Sequence, residues 1–311
     1  MKLTQFDKSI LVQCTINSYA RVKGVSIPEG GGSHGKVSWE YFKDKEKGSN
    51  CVAWWELDNG EEYSAGFMGY LDHPTYGKVG VICFQGTVGE WSGEGWRSNF
   101  NTNQVNQVKD FHTKKGKMVI PYGNLESKVK MHEGIIGVYS LPREIVREFA
   151  KRCFEDKIPL WLCGHSQGAG CCCAGYADIF YMLETDMNIP REEIWKFLTG
   201  YGAASLAIYN LEGAQSFNKR ANGNFYNEWF GNDTVNGTPT WWQGYFQVET
   251  KKRYSDLRAN LLAIVFTPLT LGLFPSACAW DHDPSKLLAA VKGEPIPLFR
   301  VNTTNDPVEK K

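Results

Sequence analysis

Residues 160–170 are Leu160-Trp161-Leu162-Cys163-Gly164-His165-Ser166-Gln167-Gly168-Ala169-Gly170. The apolar residues at the start predict a strand buried on both faces, and the small residues at the end predict a helix packed closely on a sheet. Gly164 and Gly168 flank Ser166 in the pattern Gly-x-Ser-x-Gly. A sharp turn between strand and helix lifts a serine hydroxyl out of the sheet, and side chains at the two glycines would collide with neighbouring backbone. We therefore predict a nucleophile elbow at Gly164 and Gly168, with Ser166 at its tip.

The segments around this elbow alternate between strand and helix patterns. Apolar runs that predict strands occur at residues 52–57, 79–84, 160–163, 195–199 and 224–229, the last strand that we expect. Apolar residues at helical spacing occur at residues 135–154, 211–220 and 285–291. This alternation favours an α/β fold with a mainly parallel central sheet and helices on both faces. We expect one domain over residues 1–311, with an N-terminal helical extension over about 1–36 and an apolar insertion over about 240–278.

The composition excludes several classes of partner. Lys plus Arg and Asp plus Glu both number 34, so the net charge is zero and no basic excess favours nucleic acid. The nine cysteines show no Cys-x-x-Cys spacing, so we expect no metal and no cofactor. The first residues lack the apolar core of a signal peptide, and no apolar run reaches the length of a membrane span. Many cysteines without a secretion signal predict a cytoplasmic location.

A serine hydroxyl becomes a good nucleophile only when a base removes its proton. In α/β-hydrolases the chain order is Ser, then Asp or Glu, then His. His282 is the only histidine after Ser166, so the order rule leaves it as the one candidate base. His165 adjoins Ser166, but its backbone direction points it away from the hydroxyl, and we expect it to be a packing residue.

The sequence offers several candidates for the acidic partner of His282. Asp233 follows a predicted strand, and the carboxyl edge of a parallel sheet presents such residues to a site. Neighbours of His282 in sequence seldom face the same ring nitrogen. The other candidates are Asp178, Asp186, Asp256, Asp281 and Asp283. We prefer Asp233 to Asp256 and Asp281.

Several segments, taken in order, resemble one family, the class 3 lipases, which are the fungal triacylglycerol lipase-like branch of the α/β-hydrolases. The similar segments are residues 81–87, 96–100, 131–135, 164–169, 199–202, 232–235 and 281–282. Each segment is short, but seven in the family's order are fairly specific, and they span roughly residues 75–292. The resemblance implies the α/β-hydrolase fold and a carboxylic ester hydrolase.

The resemblance also implies roles for individual residues. Ser166, Asp233 and His282 would form a catalytic triad. The main-chain N–H groups of Thr87 and Gln167 would form the oxyanion hole. The reaction implied is acyl transfer through an acyl-enzyme, which needs no metal or cofactor.

The family places a mobile lid after the oxyanion strand, where this chain has Trp91, Trp96 and Phe100. These aromatic residues predict contact with a lipid ester substrate and a transient contact with a membrane or lipid-droplet surface. The chain departs from the family at Gln85, where an arginine is usual, and at residues 236–239. These departures leave the catalytic groups in place and bear on substrate preference.

Two other functions share the same sequence features. A phospholipase A1, a thioesterase or an acyltransferase would use the same triad on the same scaffold. A lipase-like binding module without activity would keep the fold but need none of the catalytic groups. Because this chain retains a candidate for every catalytic role, we expect a lipid ester hydrolase.

Overall fold

A computed structural model of the protein describes residues 2–20, 35–37, 52–58, 62–87, 101–109, 117–119, 128–231, 233, 244–248, 250–254 and 282–294. The helices in these ranges are α1 (Gln5–Ala20), α2 (Glu133–Ser140), α3 (Arg143–Glu155), α4 (Gln167–Tyr181), α5 (Arg191–Phe197), α6 (Leu211–Ala221) and α7 (Pro284–Lys292). A π-helical turn, Met182–Asp186, continues α4.

The strands in the same ranges are β1 (Gly35–Val37), β2 (Val52–Asp58), β3 (Tyr63–His73), β4 (Gly77–Phe84), β5 (Gln104–Val105), β6 (Gln107–Lys109), β7 (Lys117–Val119), β8 (Met131–His132), β9 (Leu160–His165), β10 (Leu198–Ala203), β11 (Phe225–Phe230) and β12 (Thr250–Tyr254). Eight of these described strands form one sheet in the order β1-β2-β3-β4-β9-β10-β11-β12. β5 pairs with β8 and β6 with β7 in two small antiparallel sheets.

The central sheet is antiparallel at one side and parallel from β4 onward. β1, β2, β3 and β4 pair antiparallel in sequence, whereas β4, β9, β10, β11 and β12 pair parallel. In the described residues helices lie in the connections from β4 to β9, from β9 to β10 and from β10 to β11, as parallel pairing requires a crossover. An antiparallel start followed by parallel strands with helices on both faces is the α/β-hydrolase fold, as the sequence predicted.

Two apolar cores cover the two faces of the sheet. Successive side chains of a strand point to opposite faces, so Leu162 of β9 packs with α2, α3 and α4, whereas Trp161 packs with α1 and α7. The second core also contains Leu11 of α1 and Leu287 of α7, both buried. The helices α1 and α7 therefore share one face and pack on each other there, α1 over β9, which carries the elbow, and α7 over β11 and β12.

The elbow helix α4 lies close to the sheet because its facing residues are small. A Cβ atom added at Gly175 would lie 3.1 Å from the ring of Phe84 in β4. One added at Gly170 would lie 3.2 Å from the side chain of Ile135 in α2. These distances leave little room for a larger residue, which agrees with the close packing predicted from the small residues after Gly168.

One predicted strand is wrong in part. Residues 195–199 were expected to be extended, but α5 continues to Phe197 and β10 begins only at Leu198. Pro190 at the N-cap and Glu192 and Glu193 in the first turn favour a helix start, because acidic groups there interact well with the helix dipole. These signals for a helix start explain why residues 195–197 are helical although their apolar side chains would also suit a strand.

The helical pattern over residues 135–154 is two helices rather than one. Pro142 stands at the N-cap of α3, where the absence of its N–H breaks the hydrogen-bond ladder that would continue α2. We did not predict β3 from the sequence, and we expected residues 224–229 to be the last strand, although β12 follows them. β12 contains Lys251, Lys252 and Arg253, and a charged segment of this kind shows no apolar alternation.

The predicted apolar insertion over about 240–278 falls mostly outside the described residues, apart from residues 244–248 and β12. In the part of the chain that the structure describes, no helix is both long enough and apolar enough to cross a membrane.

Candidate active site

The elbow holds Ser166 in an unusual backbone conformation. Its φ of 59° and ψ of −128° belong to a region that non-glycine residues adopt only when the surroundings enforce it, at a cost of about 1–3 kcal/mol. The enforcing contacts are on both sides: Ser166 N donates to the carbonyl of Ala203 at 3.0 Å, and its own carbonyl accepts from Ala169 N at 3.0 Å. Ser166 therefore stands between the end of β9 and the first turn of α4.

The two glycines of the elbow are required by close backbone contacts. A Cβ atom at Gly164 would lie 2.1 Å from the carbonyl oxygen of Gly168, and one at Gly168 would lie 2.3 Å from the carbonyl oxygen of Phe84. Both distances are far inside van der Waals contact, and the atoms are backbone atoms that cannot move aside. The structure thus places Gly164 and Gly168 where the sequence pattern requires them.

The candidate oxyanion residues lie on two adjacent segments. Gln167 is the first residue of α4 and is buried, and Thr87 is the half-buried residue three positions after β4 ends. The close contact of Gly168 with Phe84 brings the first turn of α4 against the end of β4. The N-terminus of α4 also carries the positive end of the helix dipole, which favours a developing negative charge.

The structure brings His282 and Asp233 together although 49 residues separate them. His282 Nδ1 lies 2.8 Å from Asp233 Oδ2. The Asp233 side chain is fully buried, whereas the His282 side chain is 18% exposed. Asp283, the next residue, caps α7 by accepting from Ser285 N at 2.9 Å. His282 therefore stands immediately before the N-cap of α7.

The hydrogen bond to Asp233 determines which nitrogen of His282 can act as a base. A carboxylate oxygen accepts only, so Nδ1 of His282 carries the proton. In the neutral ring Nε2 is then the unprotonated nitrogen, which can accept a proton from a hydroxyl group. This is the tautomer that a general base for a serine nucleophile requires.

The sequence missed the contribution of α1 to this site. The Tyr19 hydroxyl lies 2.8 Å from Nδ1 of His165, and the main-chain carbonyl of Ser18 accepts from the side-chain amide of Gln85. His165, which we expected only to fill space, lies with its ring centroid 4.5 Å from that of His282. Tyr19 is 146 residues from His165 in sequence, so no local signal points to this contact.

The other acidic candidates in the described residues have different partners. Asp178 accepts from the Tyr139 hydroxyl at 2.9 Å and from Arg143 Nε at 3.0 Å. Asp186 is paired with Arg147. Asp256 and Asp281 lie outside the described residues, as do the candidate lid residues Trp91, Trp96 and Phe100.

In the described residues, no three His, Cys, Asp or Glu side chains lie close enough together to hold a metal ion. The cysteines in the same ranges are all free, and six of the seven are buried. Burial raises the pKa of the Cys171, Cys172 and Cys173 thiols, which keeps them protonated and chemically inert.

Comparison by sequence matches the chain to no protein-family model and to no curated protein. Comparison by structure finds similar solved chains among fungal lipases. A fungal lipase–inhibitor complex is 15% identical with a TM-score of 0.46, over 61% of this chain and 61% of that one. The Rhizomucor miehei lipase propeptide complex is 12% identical with a TM-score of 0.49, over 82% and 69% of the two chains. A triacylglycerol lipase whose catalytic centre is a serine protease triad is 13% identical with a TM-score of 0.48, over 82% and 81%.

These solved lipases belong to the family that the sequence motifs resemble. The chain spans less than two thirds of the length of the first of them. At these sequence identities, the structural similarity shows only that the backbones follow a similar path, and it gives no information on the substrate.

Proposed function

We propose that this protein is a serine hydrolase that cleaves carboxylic esters of lipids through an acyl-enzyme. The observation that carries the proposal is the buried Asp233–His282 pair, whose 2.8 Å hydrogen bond leaves Nε2 of His282 as a base. Ser166, in its strained turn, supplies the nucleophile. The ring of His282 packs against the ring of His165, the residue that precedes Ser166.

The reaction has two steps. His282 Nε2 takes the proton of Ser166 Oγ while this oxygen attacks the ester carbonyl, and the resulting imidazolium is stabilised by the Asp233 carboxylate. The imidazolium then gives its proton to the departing alcohol, which leaves an acyl-Ser166. In the second step water gives a proton to His282 Nε2 and attacks the acyl carbonyl. The imidazolium then returns this proton to Ser166 Oγ as the bond to the acyl group breaks, which releases the carboxylic acid and restores the serine hydroxyl.

The negative charge on the carbonyl oxygen needs donors that are already in place. We assign this role to the main-chain N–H groups of Thr87 and Gln167, because the end of β4 and the start of α4 lie in contact. One such donor typically lowers the barrier by ~3 kcal/mol. The mechanism uses no metal or cofactor.

The lipid nature of the substrate rests on the aromatic residues Trp91, Trp96 and Phe100, which follow the oxyanion segment in sequence. We propose that they contact acyl chains as part of a lid, and that the protein meets its substrate at a membrane or lipid-droplet surface. The free cysteines of the described ranges support a reducing, cytoplasmic location. A lid of this kind predicts that the rate rises when an ester is present above its solubility limit; an unchanged rate across that limit would count against the lid.

The test of the reaction is covalent labelling with a fluorophosphonate probe. Wild-type protein should be labelled at Ser166, and Ser166→Ala should lose all labelling and all turnover of a short p-nitrophenyl ester while its melting temperature stays the same. Ser140→Ala is the matched control, because Ser140 is also buried but its hydroxyl donates to the carbonyl of Gly137 within α2. Turnover that survives in Ser166→Ala would remove Ser166 from the mechanism.

A panel of substrates separates the ester classes once labelling is established. Triacylglycerol, monoacylglycerol, phospholipid and acyl thioester substrates are compared at equal acyl chain length, with products resolved by mass. Addition of an alcohol acceptor then distinguishes hydrolysis from acyl transfer. We expect acylglycerols to give the highest kcat/KM.

A further inference from the structure

The residue next to the nucleophile contacts two residues outside the elbow, His282 and Tyr19, each through a hydrogen bond and a ring contact. His165 Nε2 lies 2.7 Å from the main-chain carbonyl oxygen of His282, and its ring packs on the His282 ring with centroids 4.5 Å apart. Its Nδ1 lies 2.8 Å from the hydroxyl of Tyr19, whose ring also meets the His165 ring edge-on at 5.7 Å. His165 is only 4% exposed, so these contacts exclude water.

These contacts define the protonation of His165. The carbonyl oxygen of His282 can only accept, so Nε2 of His165 must carry a proton and donate. In the neutral ring Nδ1 is then an acceptor, and the Tyr19 hydroxyl donates to it. The His282 carbonyl thus selects the tautomer of His165, and the Tyr19 hydroxyl donates to the ring nitrogen that is left without a proton.

The backbone of His282 needs such a partner because helical hydrogen bonds do not hold it. His282 precedes the N-cap Asp283 and lies outside α7. The bond from His165 to its carbonyl and the bond from its ring to Asp233 fix the residue at two points. Two fixed points determine the direction of Nε2, whereas one would leave the ring free to swing about the bond to Asp233.

We propose that His165 is a positioning residue for His282 and that Tyr19, from the end of α1, anchors the His165 ring through the hydrogen bond to Nδ1 and the edge-on ring contact. The inference rests on the proposed serine hydrolase function and deepens it. α1 is then part of the catalytic apparatus, since the chain Tyr19–His165–His282 joins its last turn to the base. A displacement of ~1 Å at a reacting group can reduce a rate about 100-fold, so this chain has a measurable effect.

Substitutions at His165 separate the hydrogen bond from the packing. His165→Leu fills the same space without a donor and should lower the fluorophosphonate labelling rate, kinact/KI, by about 100-fold. His165→Gln restores an N–H donor at the reach of Nε2 and should recover most of that loss. On a p-nitrophenyl ester, kcat should fall in His165→Leu with KM nearly unchanged, because His165 faces the base rather than the substrate.

Substitution at Tyr19 tests the anchoring of the His165 ring. Tyr19→Phe keeps the ring contact but removes the hydroxyl, so Nδ1 of His165 loses its hydrogen-bond partner on α1 and the His165 ring is held less firmly against His282. The expected loss in kinact/KI is about twofold to tenfold, the size of one neutral hydrogen bond. This variant leaves the buried elbow intact, and it tests the proposal even where His165→Leu fails to fold.

The matched control is His73→Leu. His73 is also 4% exposed and also bonds to α1, through Asp7 Oδ1 at 2.9 Å, but it lies at the other end of the sheet. Eight residues of β4 separate that end from the site, roughly 25 Å. His73→Leu should lower the melting temperature and leave kinact/KI of the folded protein unchanged.

The possible results separate the two proposals. Wild-type protein that is not labelled at Ser166 refutes the hydrolase function and the positioning role with it. Wild-type labelling together with full labelling rates in folded His165→Leu and in Tyr19→Phe refutes the positioning role alone. Equal losses in His73→Leu and His165→Leu would mean that the docking of α1, rather than the bond to His282, controls the rate, and would also refute the positioning role.

Discussion

Replacement of Asp233 by asparagine changes one atom of the buried pair and removes its charge. The amide can face His282 in two ways. With its oxygen toward Nδ1, it keeps a hydrogen bond at the observed 2.8 Å distance but loses the charge that stabilises the imidazolium. With its nitrogen toward Nδ1, it donates, and the ring proton must move to Nε2, which can then no longer accept the proton of Ser166.

The magnitude follows from the burial of this pair. The Asp233 side chain has no exposed surface, so water cannot enter to replace the lost charge. The corresponding change in a serine protease triad lowers kcat about 10⁴-fold through the wrong tautomer. We expect a loss of about 10³–10⁴-fold for Asp233→Asn, which is a barrier increase of about 4–5.5 kcal/mol.

The assay is kinact/KI for fluorophosphonate labelling, measured below the melting temperature of each variant. The matched control is Asp178→Asn, because Asp178 is equally buried but bonds to Tyr139 and Arg143. Asp178→Asn should lose stability and keep its labelling rate. A rate for Asp233→Asn within about tenfold of wild type would refute the assignment of Asp233, since tenfold is only ~1.4 kcal/mol.

Three further predictions concern the elbow, the anchoring of α1 and the buried thiols. Gly168→Ala places a Cβ atom 2.3 Å from the carbonyl of Phe84, so we expect a loss of at least ~1–3 kcal/mol in denaturant unfolding and a sharp fall in labelling. Glu228→Gln leaves Lys8, whose Nζ lies 2.6 Å from Glu228, without its counter-charge in a buried pair, and should cost about 3–5 kcal/mol, measured as a lowered denaturation midpoint. Burial raises the pKa of Cys153 from 9.0 to about 12, so the folded state holds this proton more tightly than the unfolded state. The free energy of unfolding should therefore fall as the pH rises from 9 to 12, and Cys153→Ala should flatten this decline.

The first two of these predictions have matched controls in the described residues. Gly77 has a φ of 69° with no atom near its added Cβ, so Gly77→Asn should retain stability and labelling. Glu155→Gln breaks the exposed pair with Lys151 and should cost less than ~0.5 kcal/mol. Equal costs for Glu155→Gln and Glu228→Gln would contradict the buried-pair argument, and an identical pH dependence in wild type and Cys153→Ala would contradict the role of that thiol.

The predictability of the site differs from residue to residue. Gly164 and Gly168 could be located from sequence because a sharp turn permits no side chain there, and the backbone contacts at 2.1 and 2.3 Å give the reason. His282 could be selected because the chain order of the fold leaves one histidine. The sequence favoured Asp233 but did not single it out, because several acidic residues satisfy the order rule. The 2.8 Å contact between Asp233 and His282 joins segments that are distant in sequence, so it is visible only in the structure.

The predictability of the fold likewise differs from one element to the next. The alternation of strands and helices follows from local periodicity, so β4, β9 and β11 of the parallel part of the sheet were predictable. β12 was not, because its lysines and arginine give no apolar pattern and it is recognised only by its pairing with β11. The boundary between α5 and β10 was misplaced because apolar residues suit a buried helix turn as well as a strand.

By itself, the sequence determined the elbow around Ser166, the α/β class and the single candidate base, because these depend on local backbone sterics and on chain order. Only the tertiary structure decided that α1 reaches the site and that His165 contacts His282 on one side and Tyr19 on the other. Contacts of this kind depend on the packing of α1 and α7 on the same face of the sheet. No local pattern of residues encodes that packing, because it is set by the shape and register of the whole sheet.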